Sequence, residues 1–175
     1  LMKFKKFKFK KVKSTNSTAL RIIKETNYTL GMVVAETQTE GRGQYGRKWA
    51  SLKGNLFVSF FNELKKTNLS INVITKSNCL LVKNLLSKFT NKRITIKKPN
   101  DLLIDKKKIS GILQEIILTK GKKFLITGIG INIIKHPNIK NYPATNLQDV
   151  AKKSISKLKV ENKLKKIFEK NLLKL

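Results

Sequence analysis

A glycine-rich segment of the chain concentrates residue types that are scarce elsewhere and that suit contact with an anion. The run TEGRGQYGRKWASLKGNLFVSFF, residues 39–61, holds four of the nine glycines, two of the four arginines and the only tryptophan. Closely spaced glycines let a backbone approach a ligand and present N–H groups to it. Arg42 and Arg47 can add charged, planar contacts to phosphate or carboxylate, and Trp49 offers a flat apolar face to a ring. The alternative is a glycine-rich hairpin with solvated arginines.

A second cluster, KKPNDLLIDKKKISGILQE, combines hard oxygen ligands with a lysine and a glycine. Asn100 and Asp101 follow Pro99 directly, and their oxygens suit Mg²⁺, which commonly binds together with substrate phosphates. A Pro-Asn-Asp turn without a metal is the alternative. Lys108 precedes a β-type run that Gly111 interrupts, and a glycine inside a strand allows a ligand or another strand to approach closely.

The third cluster is GIGIN, in which two glycines interrupt an otherwise apolar strand. Gly128 and Gly130 leave a flat surface, and Asn132 adds an amide that can pair with a nucleobase edge. The cluster is not a dinucleotide-binding fingerprint, because the third glycine and the opening helix are missing.

The composition indicates one cytoplasmic domain with a hydrophobic core. The chain has 175 residues and a hydrophobic content of 40%, and its apolar runs are shorter than the roughly 18–20 residues of a membrane span. The basic N-terminus lacks the features of a signal peptide, so we expect no membrane association. The single cysteine, Cys79, suits a reducing compartment, and its apolar helical surroundings predict a buried structural thiol.

The net charge of +29 has two interpretations. One is a basic face that contacts nucleic acid. The other is a biased composition that also favours solubility, because the excess is almost all lysine and is spread along the whole chain. Nucleic-acid interfaces more often concentrate arginine and aromatic residues on one element. We therefore expect no specific nucleic-acid binding, and an acidic protein partner is a separate interpretation.

The elements that must position these clusters are strands in the centre of the chain and helices at its flanks. Strands are predicted for FKFKKVK, MVVAE, NLFVSFF, RITIK, DLLID, KISGILQEIIL and FLITGIGINII, with hairpin turns at DKKK and TKGKK. Helices are predicted to begin within STNSTALRIIKET, to cover residues 70–89 and to form an amphipathic segment at about 154–174. KHPNIKNYPATN is predicted to be a loop. The fold class is therefore α+β.

Taken in order, STN, GRGQYGRKWASLKGNLFVS, KKPNDLLIDKKKISGILQE and GIGIN resemble the catalytic domain of biotin–protein ligases from about Phe7 to Leu175. The resemblance implies a mixed, mainly antiparallel sheet with flanking helices, similar to class II aminoacyl-tRNA synthetases. It implies one catalytic domain over residues 1–175, without a winged helix or a C-terminal barrel. The implied substrates are ATP and biotin, with Mg²⁺ as cofactor. The implied partner is the biotin carboxyl carrier domain of a biotin-dependent carboxylase, and a monomer or weak homodimer is expected.

The resemblance also assigns roles by position in the motifs. For biotin it implies Ser14, Thr15, Gln38, Gly41, Arg42, Lys108 and Gly111. For the nucleotide it implies Arg47, Trp49, Asn100, Gly128, Gly130 and Asn132. It makes Lys108, Asp101 and Arg47 catalytic, and it lets Asn100 and Asp101 hold the metal weakly, largely through the phosphates. Two positions depart from the family pattern, Gln44 in place of a common arginine and Lys98 in place of a tryptophan.

Two alternatives stay open. Lipoate–protein ligases and octanoyltransferases share the implied fold, although the glycine-rich loop followed by PND and KISGIL argues against them. A non-catalytic, basic nucleic-acid-binding protein is the alternative from a different class, and its mark would be a steep salt dependence of binding to random DNA.

Overall fold

A seven-stranded sheet forms the centre of the fold in the computed structural model, which describes residues 3–65 and 69–171. The strands, in chain order, are β1 (Lys5–Val12), β2 (Leu30–Gln38), β3 (Leu56–Glu63), β4 (Ile94–Lys97), β5 (Asp101–Ile104), β6 (Lys107–Thr119) and β7 (Lys122–Ile131). Their order in the sheet is β1-β2-β3-β7-β6-β5-β4. Only the β1–β2 pair is parallel among these strands, and the other pairs are antiparallel. The predicted mixed, mainly antiparallel sheet is confirmed.

Both predicted hairpin turns form, and each uses two residues in the left-handed region. Asp105 and Lys106 connect β5 to β6 with φ values of 49° and 64°. Lys120 and Gly121 connect β6 to β7 with φ values of 52° and 68°. Two-residue turns with positive φ at both positions match the twist of antiparallel strands, so these turns fix the register of the strands that carry the second and third sequence clusters.

Helices cover both faces of the sheet. They are α1 (Thr15–Glu25), α2 (Ile71–Leu86), α3 (Leu147–Ala151) and α4 (Lys157–Asn171). The core around α1 contains Val33 of β2, whereas the core around α2 and α4 contains the adjacent Val34. Because neighbouring residues of a strand point to opposite faces, the sheet lies between these two layers. The predicted α+β class is confirmed.

Side-chain caps set the starts of the helices. Ser14 caps α1, Ser70 caps α2 and Asn146 caps α3, each by accepting a hydrogen bond from a backbone N–H in the first turn. The sequence prediction did not include α3, because five residues are too short to show a helical period. The predicted C-terminal helix begins at Lys157, and its positions 172–174 lie outside the described residues.

Cys79 is buried on α2, as predicted. Burial, with a smaller contribution from the nearby carboxylate of Asp101, raises the pKa of its thiol to about 11. The thiol is therefore neutral at physiological pH and acts as a packing group. Within residues 3–65 and 69–171, no helix has both the length and the apolar character needed to cross a membrane.

Candidate functional site

A cavity of about 660 Å³ lies between the glycine-rich segment, the start of α1 and strands β5 to β7. This volume is typical of sites for small molecules and cofactors. The cavity brings together all but one of the residues that the sequence singled out: Ser14, Thr15, Gln38, Arg42, Arg47, Trp49, Asn100, Asp101, Lys108, Gly111, Gly128, Gly130 and Asn132.

The glycine-rich segment folds as a hairpin that forms one wall of the cavity. The backbone N–H of Trp49 donates to the carbonyl of Gly41 at 2.8 Å, and the N–H of Gly43 donates to the carbonyl of Arg47 at 2.7 Å. Tyr45 and Gly46 turn the chain at the tip with positive φ. The segment therefore has the hairpin backbone that the alternative interpretation predicted. Its arginines are not simply solvated, since Arg42 is ion-paired and Arg47 lies 5.8 Å from the ring centroid of Tyr142.

Two glycines make room for the indole of Trp49 on the sheet. Gly111 of β6 and Gly130 of β7 are direct partners in the strand register. A Cβ added to Gly130 would lie 2.4 Å from the Cε2 atom of Trp49, and one added to Gly111 would lie 2.9 Å from its Cζ3 atom. Side chains at either position would therefore displace the ring. The hairpin and the second and third clusters meet at this contact.

Gly128 lies beside the start of α1 in the cavity. A Cβ at this position would lie 2.3 Å from the Oδ1 atom of Asn16, next to Ser14 and Thr15 on α1. The resemblance grouped Gly128 with Gly130 at the nucleotide. In the structure Gly128 allows the start of α1 to pack against β7, and its contact with a nucleotide stays a prediction.

A neutral hydrogen-bond network forms the wall at the start of α1. Gln38 Oε1 accepts hydrogen bonds from the backbone N–H of Thr15 at 2.8 Å and from its hydroxyl at 3.1 Å. Gln38 Nε2 donates to the hydroxyl of Ser51 at 3.0 Å. The hydroxyl of the buried Ser59 lies 2.8 Å from that of Thr15. Thr15 and Gln38 thus meet, and Ser14 lies beside them as the cap of α1.

Gly41 is the predicted residue that does not line the cavity. It is buried in the stem of the hairpin, where an added Cβ would lie 2.6 Å from the carbonyl oxygen of Trp49 and 2.7 Å from the hydroxyl of Ser51. Its contact with biotin stays a prediction. Because Gly41 has no side chain, its backbone can pack closely against Trp49 and Ser51 in the other half of the hairpin stem.

Lys108 and Asp101 form an ion pair inside the cavity. The Nζ atom of Lys108 lies 2.7 Å from Oδ1 of Asp101 and 5.3 Å from the ring centroid of Trp49. The backbone of Lys108 is fixed as well, because its N–H donates to the carbonyl of Pro143 and its carbonyl accepts from the N–H of Thr145. Asp101 is the direct register partner of Gly111. The pair therefore lies next to the glycine floor, the flat surface that Gly111 and Gly130 form under Trp49.

A β-bulge aims Lys108 into the cavity. Leu102 pairs with Ser110 whereas Leu103 pairs with Lys108, so Ile109 is an additional residue in β6. In a regular strand without the bulge, strict alternation would send the side chain of Lys108 to the face opposite that of Gly111. Bulges of this kind reorient side chains beside functional sites.

The two asparagines of the nucleotide prediction are already hydrogen-bonded to the protein. Asn100 Nδ2 donates to the carbonyl of Ile112 at 2.6 Å. Asn132 is 2% exposed, donates through Nδ2 to the carbonyl of Thr145 and accepts at Oδ1 from Asn55. Asn132 therefore supports the segment after β7, and its contact with a nucleobase stays a prediction.

Several residues of the site were not identified from the sequence. Asn16 lines the cavity, and Glu115 of β6 pairs with Arg42 just outside it. The loop after β7 adds Pro137, Ile139, Tyr142 and Ala144. The third letter of STN and the scarcity of acidic residues were the available signals for Asn16 and Glu115, whereas the loop residues carried none.

The charges that line the cavity are mostly positive. Asp101 is the carboxylate among the described lining residues, and the cationic ones are Arg42, Arg47, Lys48, Lys97, Lys98 and Lys108. Such a lining suits a ligand with several negative charges. Among residues 3–65 and 69–171, no cluster of three or more His, Cys, Asp and Glu side chains can hold a metal ion. Asn100 and Asp101 nevertheless offer neighbouring hard oxygens, which fit a Mg²⁺ bound mainly by phosphates.

The fold is shared with solved ligases. A biotin protein ligase from Aquifex aeolicus, solved in complex with biotin and ATP, matches with a TM-score of 0.81 and 35% identity over 97% of this chain and 70% of that chain. The biotin protein ligase of Leishmania major in complex with biotinyl-5-AMP matches with a TM-score of 0.78 and 26% identity, over 93% of this chain and 72% of that chain. P. falciparum LipL1 in complex with lipoate, at 15% identity and a TM-score of 0.60, shares the fold alone.

The family follows from the sequence match. The profile of the Biotin/lipoate A/B protein ligase family matches residues 8–132, and the chain belongs to this family. The bifunctional ligase/repressor BirA of Bacillus subtilis is 32% identical over 169 residues, which cover 90% of this chain and 50% of that protein. The biotin–[acetyl-CoA-carboxylase] ligase of Paracoccus denitrificans is 29% identical over 71% of this chain and 53% of that protein. The chain thus spans about half the length of these curated relatives.

Proposed function

We propose that this chain catalyses the ATP-dependent ligation of biotin, through biotinyl-5′-AMP, to a lysine of a biotin carboxyl carrier domain. The observation that carries the proposal is the meeting of Lys108, Asp101 and Trp49 on the glycine floor in a member of this family. That meeting puts a paired cation beside a flat aromatic ring in a cavity of a size that suits two small substrates.

Biotin would bind at the start of α1. The network of Thr15, Gln38 and Ser59 is neutral and directional, which suits a ring system whose polar atoms donate and accept hydrogen bonds. In the same proposal, Gly111 lets the carboxylate end of biotin pass over the floor toward Lys108. Arg42 acts from outside this network by holding the hairpin.

The nucleotide would bind on the Trp49 side of the cavity. Trp49 and Gly130 would pack against the adenosine, and Arg47 on the hairpin would face the phosphates. Asn100 and Asp101 would hold Mg²⁺ together with the phosphates, and the metal would offset their negative charge. Lys48, Lys97 and Lys98 add further positive potential at the same cavity.

In the first half-reaction a carboxylate oxygen of biotin attacks the α-phosphorus of ATP. The new oxygen–phosphorus bond forms as the bond to pyrophosphate breaks. Two anions must approach each other, so a cation between them stabilises the transition state. Lys108 is suited to this role because its ammonium is held at the glycine floor by Asp101.

In the second half-reaction the amine of an acceptor lysine attacks the acyl carbon of the adenylate, and AMP leaves. The amine must first lose a proton. Asp101 is the candidate to accept or orient that proton, since it is the carboxylate among the described lining residues. We place the reaction in the cytoplasm, where ATP is available, and we expect a monomer or weak homodimer.

Biotin-dependent exchange of labelled pyrophosphate into ATP tests the first half-reaction on the purified chain. The proposal expects exchange that requires biotin and Mg²⁺, followed by transfer of label from biotin to a purified carrier domain. Lipoate and octanoate should support little exchange at equal concentration. A folded protein without biotin-dependent exchange would refute the proposal, and preferential use of lipoate would reassign the substrate within the family.

A further inference from the structure

Glu115 connects three elements around the cavity through one carboxylate. Arg42 of the hairpin donates from Nη1 to Oε1 at 3.0 Å and from Nη2 to Oε2 at 2.8 Å. Asn16 of α1 donates from Nδ2 to Oε2 at 2.8 Å. Glu115 itself belongs to β6. A two-point arginine–carboxylate contact fixes both distance and orientation, so this carboxylate ties the hairpin to α1 and to the sheet.

The hairpin is attached to β6 at two separate places. Trp49 packs on Gly111, and Arg42 pairs with Glu115. Gly111 and Glu115 are four residues apart and point to the same face, which separates the two attachments by about 13 Å along the strand. Two attachments at this spacing restrict the tilt of the hairpin over the cavity more than the Trp49 contact does alone.

The same carboxylate fixes the side chain of Asn16. The Oδ1 atom of Asn16 accepts a hydrogen bond from Ser59 at 2.5 Å, while Nδ2 also lies 3.3 Å from the carbonyl of Leu113. Ser59 in turn contacts Thr15 at 2.8 Å. A substitution of Glu115 would therefore affect the neutral network at the start of α1 indirectly, through Asn16 and Ser59.

We propose that Glu115 is a positioning residue that holds the hairpin over the cavity through Arg42 and thereby sets how long biotin and its adenylate stay bound. The inference rests on the proposed function. Glu115 carries no chemistry in it: the carboxylate acts on the position of Arg42 and of Asn16. Its loss should therefore weaken retention of ligands more than it slows the chemical step.

Glu115→Gln is the informative substitution, because it keeps the size of the side chain and one carbonyl acceptor while removing the charge. The matched control is Glu63→Gln, which removes an ion pair with Lys122 of similar length, 3.0 Å, at the end of β3 and away from the cavity. Both variants are compared with wild type in pyrophosphate exchange, with thermal unfolding as a check of folding.

The expected result is a KM for biotin raised about three- to tenfold in Glu115→Gln, with kcat within about twofold of wild type. Bound, radiolabelled adenylate should escape faster by a similar factor in a chase with unlabelled biotin. Glu63→Gln should match wild type in both measurements. A Glu115→Gln enzyme with unchanged KM and unchanged adenylate lifetime overturns the inference, and so does a fall in kcat at unchanged KM.

A double-variant comparison tests whether Glu115 acts through Arg42. If it does, Arg42→Gln and Glu115→Gln should each raise KM by a similar factor, and the combined variant should raise it little further. If the KM of the combined variant rose by the product of the two single-variant factors, the proposal that Glu115 acts through Arg42 would be wrong. Arg42→Lys should recover only part of the loss, because an ammonium cannot make the two-point contact.

Limited proteolysis gives a readout that does not require activity. Trypsin can cut the hairpin after Arg42, Arg47 and Lys48. Cleavage at these sites, identified by mass spectrometry, should be faster in Glu115→Gln than in Glu63→Gln, and unchanged cleavage counts against the inference.

The experiments distinguish failure of the proposed function from failure of the positioning role. Wild-type protein without biotin-dependent exchange refutes the function. An active wild type, together with a Glu115→Gln variant whose KM and adenylate lifetime are unchanged, refutes only the positioning role.

Discussion

Replacing Lys108 by methionine tests the charge balance of the cavity, because methionine keeps most of the side-chain length and removes the ammonium. Lys108 Nζ lies 2.7 Å from Asp101 and 5.3 Å from the centroid of Trp49. A hydrogen bond to a charged group contributes roughly 1.5–3 kcal/mol, which corresponds to about 10- to 150-fold. The side chain of Lys108 is 36% exposed, so solvent screening favours the lower part of that range.

The substitution also leaves Asp101 without its partner in a site that is proposed to receive anions. The carboxylate of Asp101, 21% exposed, would then repel both ATP and biotin. We therefore expect Lys108→Met to slow adenylate formation by more than the lost contact alone accounts for. Adding Asp101→Asn to Lys108→Met should recover part of the first half-reaction, because it removes that repulsion while the amide keeps one oxygen for Mg²⁺. It should not recover transfer.

Single-turnover formation of labelled biotinyl-AMP measures the first half-reaction without interference from the second. Lys107→Met is the matched control, since Lys107 is the exposed neighbour of Lys108 and does not line the cavity. The control should form adenylate at the wild-type rate. Wild-type adenylation in a folded Lys108→Met enzyme would refute the reasoning. A combined variant slower than Lys108→Met alone would show that repulsion by Asp101 is not the additional effect.

Three further predictions follow from the glycine floor, the buried thiol and the basic surface. Gly130→Ala should displace the indole of Trp49, raise the KM for ATP about tenfold or more and change the fluorescence of this single tryptophan. Gly43→Ala, whose Cβ would meet nothing closer than 3.5 Å, should leave that fluorescence unchanged. Because the pKa of the Cys79 thiol is raised to about 11, iodoacetamide at pH 8 should label native protein slowly and spare its activity, in contrast to unfolded protein. Added salt should slow transfer to an acidic carrier domain more than it slows adenylate formation, and equal salt sensitivity of the two steps would leave biased composition as the explanation of the +29 charge.

Much of the fold could be predicted because local sequence and tertiary structure agree along most of the chain. The two-residue turns at Asp105–Lys106 and Lys120–Gly121 lie where DKKK and TKGKK predict hairpins. A helix begins within STNSTALRIIKET, as its cap-type residues predict, and Ser14 is the residue that caps it. The site could be located from the order of the three clusters, since each cluster contributes residues to the same cavity.

The contacts that fix side-chain direction could not be predicted, because they depend on pairing between distant strands. The bulge at Ile109 reverses the parity of β6, and nothing in KKISGIL distinguishes that register from a regular one. Gly128 and Gly130 have the same local sequence character but face different partners, Asn16 and Trp49. The pairing of Arg42 with Glu115 joins residues 73 positions apart, beyond any local pattern.

The ion pair of Lys108 and Asp101 can serve the two proposed half-reactions in turn. While the pair is closed, Asp101 holds the ammonium at the glycine floor, where the biotin carboxylate and the α-phosphate must meet. When those anions bind, they compete for the same ammonium, and the carboxylate of Asp101 gains freedom to face an incoming amine. In this proposal, a cation shared between protein and substrate anions links binding of the anions to availability of the group that the second step needs. The carboxylate also keeps Lys108 in place in a cavity with six cationic lining residues. Without Asp101, repulsion by the other cations would push the Lys108 ammonium away from Trp49 and toward solvent.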